Sequence, residues 1–213
     1  MTIRFEQVVP TYLEPEKIQR SEIWNQTLVF EAGQKIHIVA PSGSGKTSLV
    51  HFLYRMRSDY QGRILFDTAD IRQYQTESLA TVRSSQISVI FQDLRLFFNH
   101  SVRENIEVKR ALNPYHSPER INEMCAELGI AGKLDKPLRT CSYGEQQRIA
   151  IIRALQQPFS VLLMDEPFSH LDEQNRSKAM QLIESEAAKR QATLVLADLK
   201  RIDYFHHDRI LHL

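Results

Sequence analysis

Lys46 and Thr47 close a run of small residues, Pro41-Ser42-Gly43-Ser44-Gly45, that follows an apolar segment ending at Ala40 and precedes helix-compatible residues. A strand, a glycine-rich loop and a helix start leave backbone N–H groups unpaired beside the positive end of a helix dipole, which binds polyphosphate. Gly43 and Gly45 permit close backbone approach, Lys46 reaches the β- and γ-phosphates, and the Thr47 hydroxyl, with Ser48 next to it, is placed to ligate magnesium. The pattern G-x-x-x-x-G-K-[ST] asks for glycine at position 40, where this chain has alanine, a residue that resists positive φ. A second chemical element lies downstream. The apolar run Val161 to Met164 ends in two carboxylates, Asp165 and Glu166. At the carboxyl end of a parallel strand, Asp165 reaches the metal and Glu166 stands where a base polarises the attacking water.

These groups need a sheet to hold them, and the chain supplies one. Strands are expected at Ile3 to Val9, Thr27 to Phe30, Ile36 to Ala40, Ile64 to Phe66, Ile87 to Phe91, Val161 to Met164, Leu194 to Ala197 and Arg209 to Leu213. Thr11 to Glu22, with Pro15, reads as a loop or short excursion. After Lys46, Leu49, Val50, Leu53 and Tyr54 recur on one helical face. Between Asp93 and Pro158 the pattern turns helical: Ser117-Pro118-Glu119 starts one helix, and another runs from Ser142 to about Leu155. A long helix from about Glu173 to Lys189 joins two late strands. Strands on both flanks and helices between them predict an α/β core with an inserted helical lobe.

Composition limits the alternatives. The 213 residues are 42% hydrophobic and 25% charged with a net charge of +1, so no basic nucleic-acid face is indicated. Cys125 and Cys141 lack metal or redox spacing and suit a reducing compartment. The N-terminus has no apolar signal region, and no apolar run approaches the ~20 residues of a membrane span. Work at a membrane therefore calls for a partner chain that supplies the spans.

Taken in order, the elements resemble the ATP-binding subunits of ABC transporters over nearly the whole chain. Gln92, in FQDLRLF, is similar to the family's Q-loop glutamine; Cys141-Ser142-Tyr143-Gly144-Glu145-Gln146-Gln147-Arg148 is similar to its signature; Asp165-Glu166-Pro167 and Ser169-His170-Leu171-Asp172 are similar to its Walker B segment and D-loop. The resemblance implies ATP and Mg2+ as ligands, with Thr47, Gln92 and Asp165 at the metal, and Lys46, Glu166, Gln92 and Asp165 in catalysis. It implies a P-loop NTPase (RecA-like) core with an antiparallel β subdomain, residues 1–91 and 159–213, and a helical subdomain, residues 92–158, within one domain. Ser142 caps a helix whose Gly144 leaves N–H groups free. In the family that helix start closes over ATP bound by a second copy, so an ATP-dependent homodimer is expected. A membrane permease is the implied further partner, with the chain cytoplasmic and peripheral to the inner membrane face. Leu94 to Phe98 would form part of the docking groove. Subclasses serving lipoprotein release, macrolide export and cell division are similar in flavour.

For adenine, the family stacks an aromatic ring from beyond the first strand; Tyr12 fits this role, with Trp24 as the alternative. Tyr143 stands where the signature has its first glycine, Cys141 replaces its leucine, and Ala197 falls where the family's switch histidine is expected. These departures imply slow hydrolysis, or a cassette that uses ATP as a conformational ligand. Chromosome-maintenance and DNA-repair ATPases share these motifs but interrupt them with a long coiled coil, and no heptad array separates Gln92 from Ser142. A small-molecule kinase would leave the second glycine-containing helix start unexplained.

Overall fold

The computed structural model describes all 213 residues. The strands are β1 (Ile3–Pro10), β2 (Thr27–Phe30), β3 (Lys35–Val39), β4 (Tyr60–Phe66), β5 (Ala69–Asp70), β6 (Ile87–Ile90), β7 (Val161–Asp165), β8 (Thr193–Asp198) and β9 (Arg209–His212). The helices are α1 (Pro15–Arg20), α2 (Lys46–Leu53), α3 (Thr76–Ser85), α4 (Val102–Leu112), α5 (Pro118–Glu127), α6 (Tyr143–Ala154) and α7 (Glu173–Arg190). An antiparallel sheet has the order β2-β1-β4-β5, and a parallel sheet has the order β6-β7-β8-β3-β9.

The parallel sheet is buried on both faces, and strict alternation along β7 assigns each face its layer. Val161 and Leu163 join a cluster with α2 and the antiparallel sheet, where Phe5, Phe30 and Phe52 pack. Leu162 and Met164 join a second cluster containing Ile106, Ile121 and Ile149 of the helical segment and Ile183 of α7. The helical segment thus shares its core with α7 and the sheet. No helix is long and apolar enough to cross a membrane.

Register positions the chemistry. Val39 pairs with Asp198 and Asp165 with Ala197, so the carboxyl ends of β3, β7 and β8 are level. The loop after β3 and the carboxylates ending β7 therefore meet at one edge, the usual ligand crevice of a parallel sheet. Thr11 to Glu22 contains the short helix α1 rather than loop alone.

Candidate active site

Ala40 is fully buried under the loop, donates its N–H to Asp198 O at 2.9 Å, and is not among the residues with positive φ. The backbone there needs no glycine, so the expected cost of alanine at this position does not arise. Left-handed conformation falls instead at Gly43, φ 77°, and Gly45, φ 97°. Gly45 is the N-cap of α2 and brings no capping side chain, which leaves the first N–H groups of the helix free for an anion. A Cβ on Gly45 would lie 3.1 Å from Trp24 Cζ2.

Trp24 accordingly has a different role from base stacking. Its ring is fully buried beneath the loop, and its Nε1–H donates to Ser44 O at 3.1 Å. Ser21 Oγ in turn accepts from the N–H groups of Ile23 and Trp24. Trp24 is a buttress of the phosphate loop and is closed to a ligand. Ser44 is also buried, and its hydroxyl donates to Pro41 O.

A cavity of about 300 Å3 opens over the loop, lined by Pro41, Ser42, Gly43, Gly45, Lys46, Thr47 and Ser48, with Tyr12, Gln92, Glu166 and Leu199 completing its walls. A second, of about 370 Å3, adjoins it through Thr47 and Gln92 and holds Asp165, His51, Asp93, Arg95, Phe91 and Tyr143. Between them the two cavities reach every residue expected at the metal.

The buried Lys46 ammonium donates to Glu166 Oε1 and stands 4.0 Å from Asp165 Oδ1. Burial lowers the Lys46 pKa, opposed by the charges of Asp165 and Asp198. Burial raises that of Asp165, opposed by a hydrogen bond from Thr47 and by Lys46. Asp165 Oδ1 is buried without a hydrogen-bond partner, an orphaned hard oxygen in the cavity that Thr47 and Gln92 also line. These oxygen donors, too few for an all-protein cage, fit Mg2+, which keeps waters and takes phosphate oxygens. Glu166 holds a left-handed φ of 46°, and its N–H donates to Ala197 O at 2.9 Å.

That contact locates Ala197 in the sheet, not in the site. Its side chain is fully buried in the core beside Val195, Ile38 and Leu163. The residue after β8 that lines the cavity is Leu199. Neither Ala197 nor Leu199 carries a side chain able to hydrogen-bond. His207 is partly buried against His37.

Ser142 and Gly144 lie outside both cavities. Ser142 caps α6 through a box with Glu145: Glu145 N–H donates to Ser142 Oγ at 3.3 Å, and Ser142 N–H to Glu145 Oε2 at 2.8 Å. A Cβ on Gly144 would meet His170 O at 3.1 Å, and the Tyr143 ring lies tilted against that of His170, their centroids 4.2 Å apart. Gln147, given no separate role by the sequence, ties α6 to the loop between β7 and α7. Its amide donates to Glu166 O and Ser169 Oγ, and its oxygen accepts from His170 N–H. Of the expected docking stretch, Leu94 and Leu96 are buried, while Phe97 and Phe98 are 50% and 55% exposed. Arg153 holds this turn by donating to the carbonyls of Leu94 and Arg95.

A family model described as ABC transporter matches residues 24–169. The macrolide export ATP-binding/permease protein MacB of Nitrosomonas europaea is 33% identical over 73% of this chain and 24% of its own length. The lipoprotein-releasing system ATP-binding protein LolD of Buchnera aphidicola is 32% identical over 74% of this chain and 70% of its own. The chain thus spans about a quarter of the first relative and over two thirds of the second. The dimeric structure of MJ0796, a bacterial ABC transporter cassette, superposes with a TM-score of 0.82 at 24% identity, covering 99% of this chain and 94% of that one; it carries the fold.

Proposed function

Because the chain belongs to the ABC transporter family, we propose that it binds ATP with Mg2+ over the Lys46 loop, hydrolyses it, and powers a separate membrane permease. The observation that carries this reading is the convergence of Lys46, Asp165 and Glu166 beneath a loop of free N–H groups. Phosphates compete with Glu166 for the Lys46 ammonium; as Lys46 turns to them, Glu166 is released to accept a proton from the attacking water. Thr47, Asp165 and Gln92 would hold the magnesium, whose charge offsets that developing on the β- and γ-phosphates. Tyr12, on the cavity wall, stacks the base.

Ser142 and Gly144 line neither of the chain's own cavities, although Tyr143 between them lines the second, which supports their use on ATP held by a second copy. The dimeric MJ0796 cassette is an assembly of the same fold. Exposed Phe97 and Phe98 suit docking to the permease, and the chain would then sit at the cytoplasmic membrane face. The similarity to LolD and MacB favours their subclass. The test is ATP-dependent dimerisation measured by light scattering: Glu166→Gln should accumulate as a dimer in ATP, and a monomer under all conditions would refute the shared site.

Leu199 and Tyr143 favour a second reading, slow turnover with ATP acting chiefly as a conformational ligand. Leu199 offers no hydrogen bond to a γ-phosphate. Leu199→His should raise phosphate release; rapid turnover by the wild type would refute the reading.

A further inference from the structure

Arg57, just beyond the end of α2, is bound to both ends of the nucleotide cavity. Its guanidinium carbon lies 4.5 Å from the centroid of the Tyr12 ring, and its Nη1 donates to Ser48 Oγ at 2.9 Å. Its Nε donates to Asp59 Oδ1 at 3.0 Å and its Nη2 to Asp59 Oδ2. Asp59 O closes the circuit by accepting from Thr11 N–H at 3.0 Å and Thr11 Oγ1 at 3.1 Å. Tyr12 is therefore fixed twice, through the backbone of its neighbour and through the face of its ring. The ring remains 46% exposed and lines the cavity with Ser48.

Stability alone does not account for this arrangement. The Arg57 and Asp59 side chains are 37% and 43% exposed, and ion pairs so open to solvent contribute little to folding. A ring with one face covered by a guanidinium presents only the other to a ligand. Holding it there removes the entropy cost of ordering a loop tyrosine when a base arrives. Through Ser48, in the first turn of α2, the same guanidinium sets the distance between that ring and the phosphate loop.

We propose that Arg57 is a positioning residue for the purine base, holding Tyr12 in its stacking pose and tying the base subsite to the phosphate loop. The proposal rests on the assignment of ATP to this cavity. It predicts an effect on the base without one on the phosphates.

The test is calorimetric affinity for Mg–ATP and for Mg–tripolyphosphate, measured on the wild type, Arg57→Ala, Arg57→Lys, Tyr12→Ala and the double variant Tyr12→Ala/Arg57→Ala. Arg57→Ala should weaken ATP by about 3- to 30-fold, the range of a partly desolvated cation–π contact, and leave tripolyphosphate unchanged. Arg57→Lys should recover part of the loss. In the Tyr12→Ala background Arg57→Ala should have no further effect. Equal weakening of ATP and tripolyphosphate, or full ATP affinity in Arg57→Ala, would overturn the positioning role while leaving ATP in the cavity. Failure of the wild type to bind ATP, or undiminished binding by Lys46→Ala, would instead overturn the nucleotide assignment and this proposal with it.

Discussion

The Lys46 ammonium sits between the two carboxylates at the end of β7, donating to Glu166 Oε1 and standing 4.0 Å from Asp165 Oδ1. One cation thus holds both acidic groups in a buried site, where an unpaired charge is costly. The groups differ in what they give up when phosphates take Lys46. On the proposed reading, Asp165 would be left to hold a metal, whereas Glu166 would be left as a free base. Glu166→Gln should therefore bind ATP at least as tightly as the wild type while phosphate release falls by about 10²- to 10⁴-fold. Lys46→Ala should lose ATP binding itself. Calorimetry and phosphate release on both variants separate these effects, and a Glu166→Gln variant with wild-type turnover would remove Glu166 from the chemistry.

Gly45 and Trp24 form a second coupled pair. Alanine at position 45 must adopt a φ of 97° and place its Cβ 3.1 Å from the buried indole. The left-handed backbone alone costs about 1–2 kcal/mol, and the rigid ring has no room to retreat. Gly45→Ala should lower the melting temperature and weaken ATP binding together. Trp24 is the sole tryptophan, so its fluorescence should report nucleotide binding in the wild type. Wild-type ATP affinity in Gly45→Ala would contradict this.

What could be read from the residues follows from which of them are buried. The core strands announce themselves because both sheet faces are covered, and the loop around Lys46 because its small residues interrupt that pattern. Helix α1 buries no side chain, and α3 buries only Val82, so neither imposes a helical apolar period. The start of α4 carries a readable sign, the Ser101/Glu104 capping box. Trp24 was ambiguous because a tryptophan in a polar segment stacks on a ligand or plugs a core with equal chemical ease. Only its hydrogen bond to Ser44 decides between them. Ala197 is buried because β8 runs on to Asp198 and its side chain joins the apolar cluster with Val195 and Leu163.

His37 is fully buried on β3, against Phe205 and His207, and neither ring nitrogen has a hydrogen-bond partner. Burial pushes its pKa down from 6.5 to about 4, with the nearby charges of His207, Arg201 and His212 acting in the same direction. Between those values the unfolded chain takes up a proton that the native state refuses. The contribution of His37 is complete above pH 6.5 and is lost as pH falls through about 4, at up to about 1.4 kcal/mol per pH unit. Urea unfolding at pH 7.5, 6 and 5 should show this slope in the wild type and a smaller one in His37→Leu. Identical slopes would show that His37 is not the titrating group.

Glu186 on α7 is a buried charge away from the candidate site, and it joins α7 to the start of α5. Its carboxylate accepts from His116 at 2.8 Å, Arg190 at 2.6 Å, Lys189 at 2.8 Å and Arg120 at 3.3 Å. Burial acts to raise its pKa, but the hydrogen bonds from His116, Lys189 and Arg190 prevail and hold it well below the usual carboxylate range. Its contribution is therefore present above the ordinary carboxylate pKa and lost as acid protonates it. Arg190, stacked 3.6 Å from the centroid of the Tyr115 ring and donating to Leu155 O, has no other carboxylate within reach. Glu186→Gln strands that guanidinium, and breaking a buried pair costs about 3–5 kcal/mol. Arg190→Met removes the stranded charge as well, so the double variant should recover part of the loss. Equilibrium denaturation across this cycle should give a coupling well above zero; strictly additive losses would mean that Glu186 and Arg190 act independently.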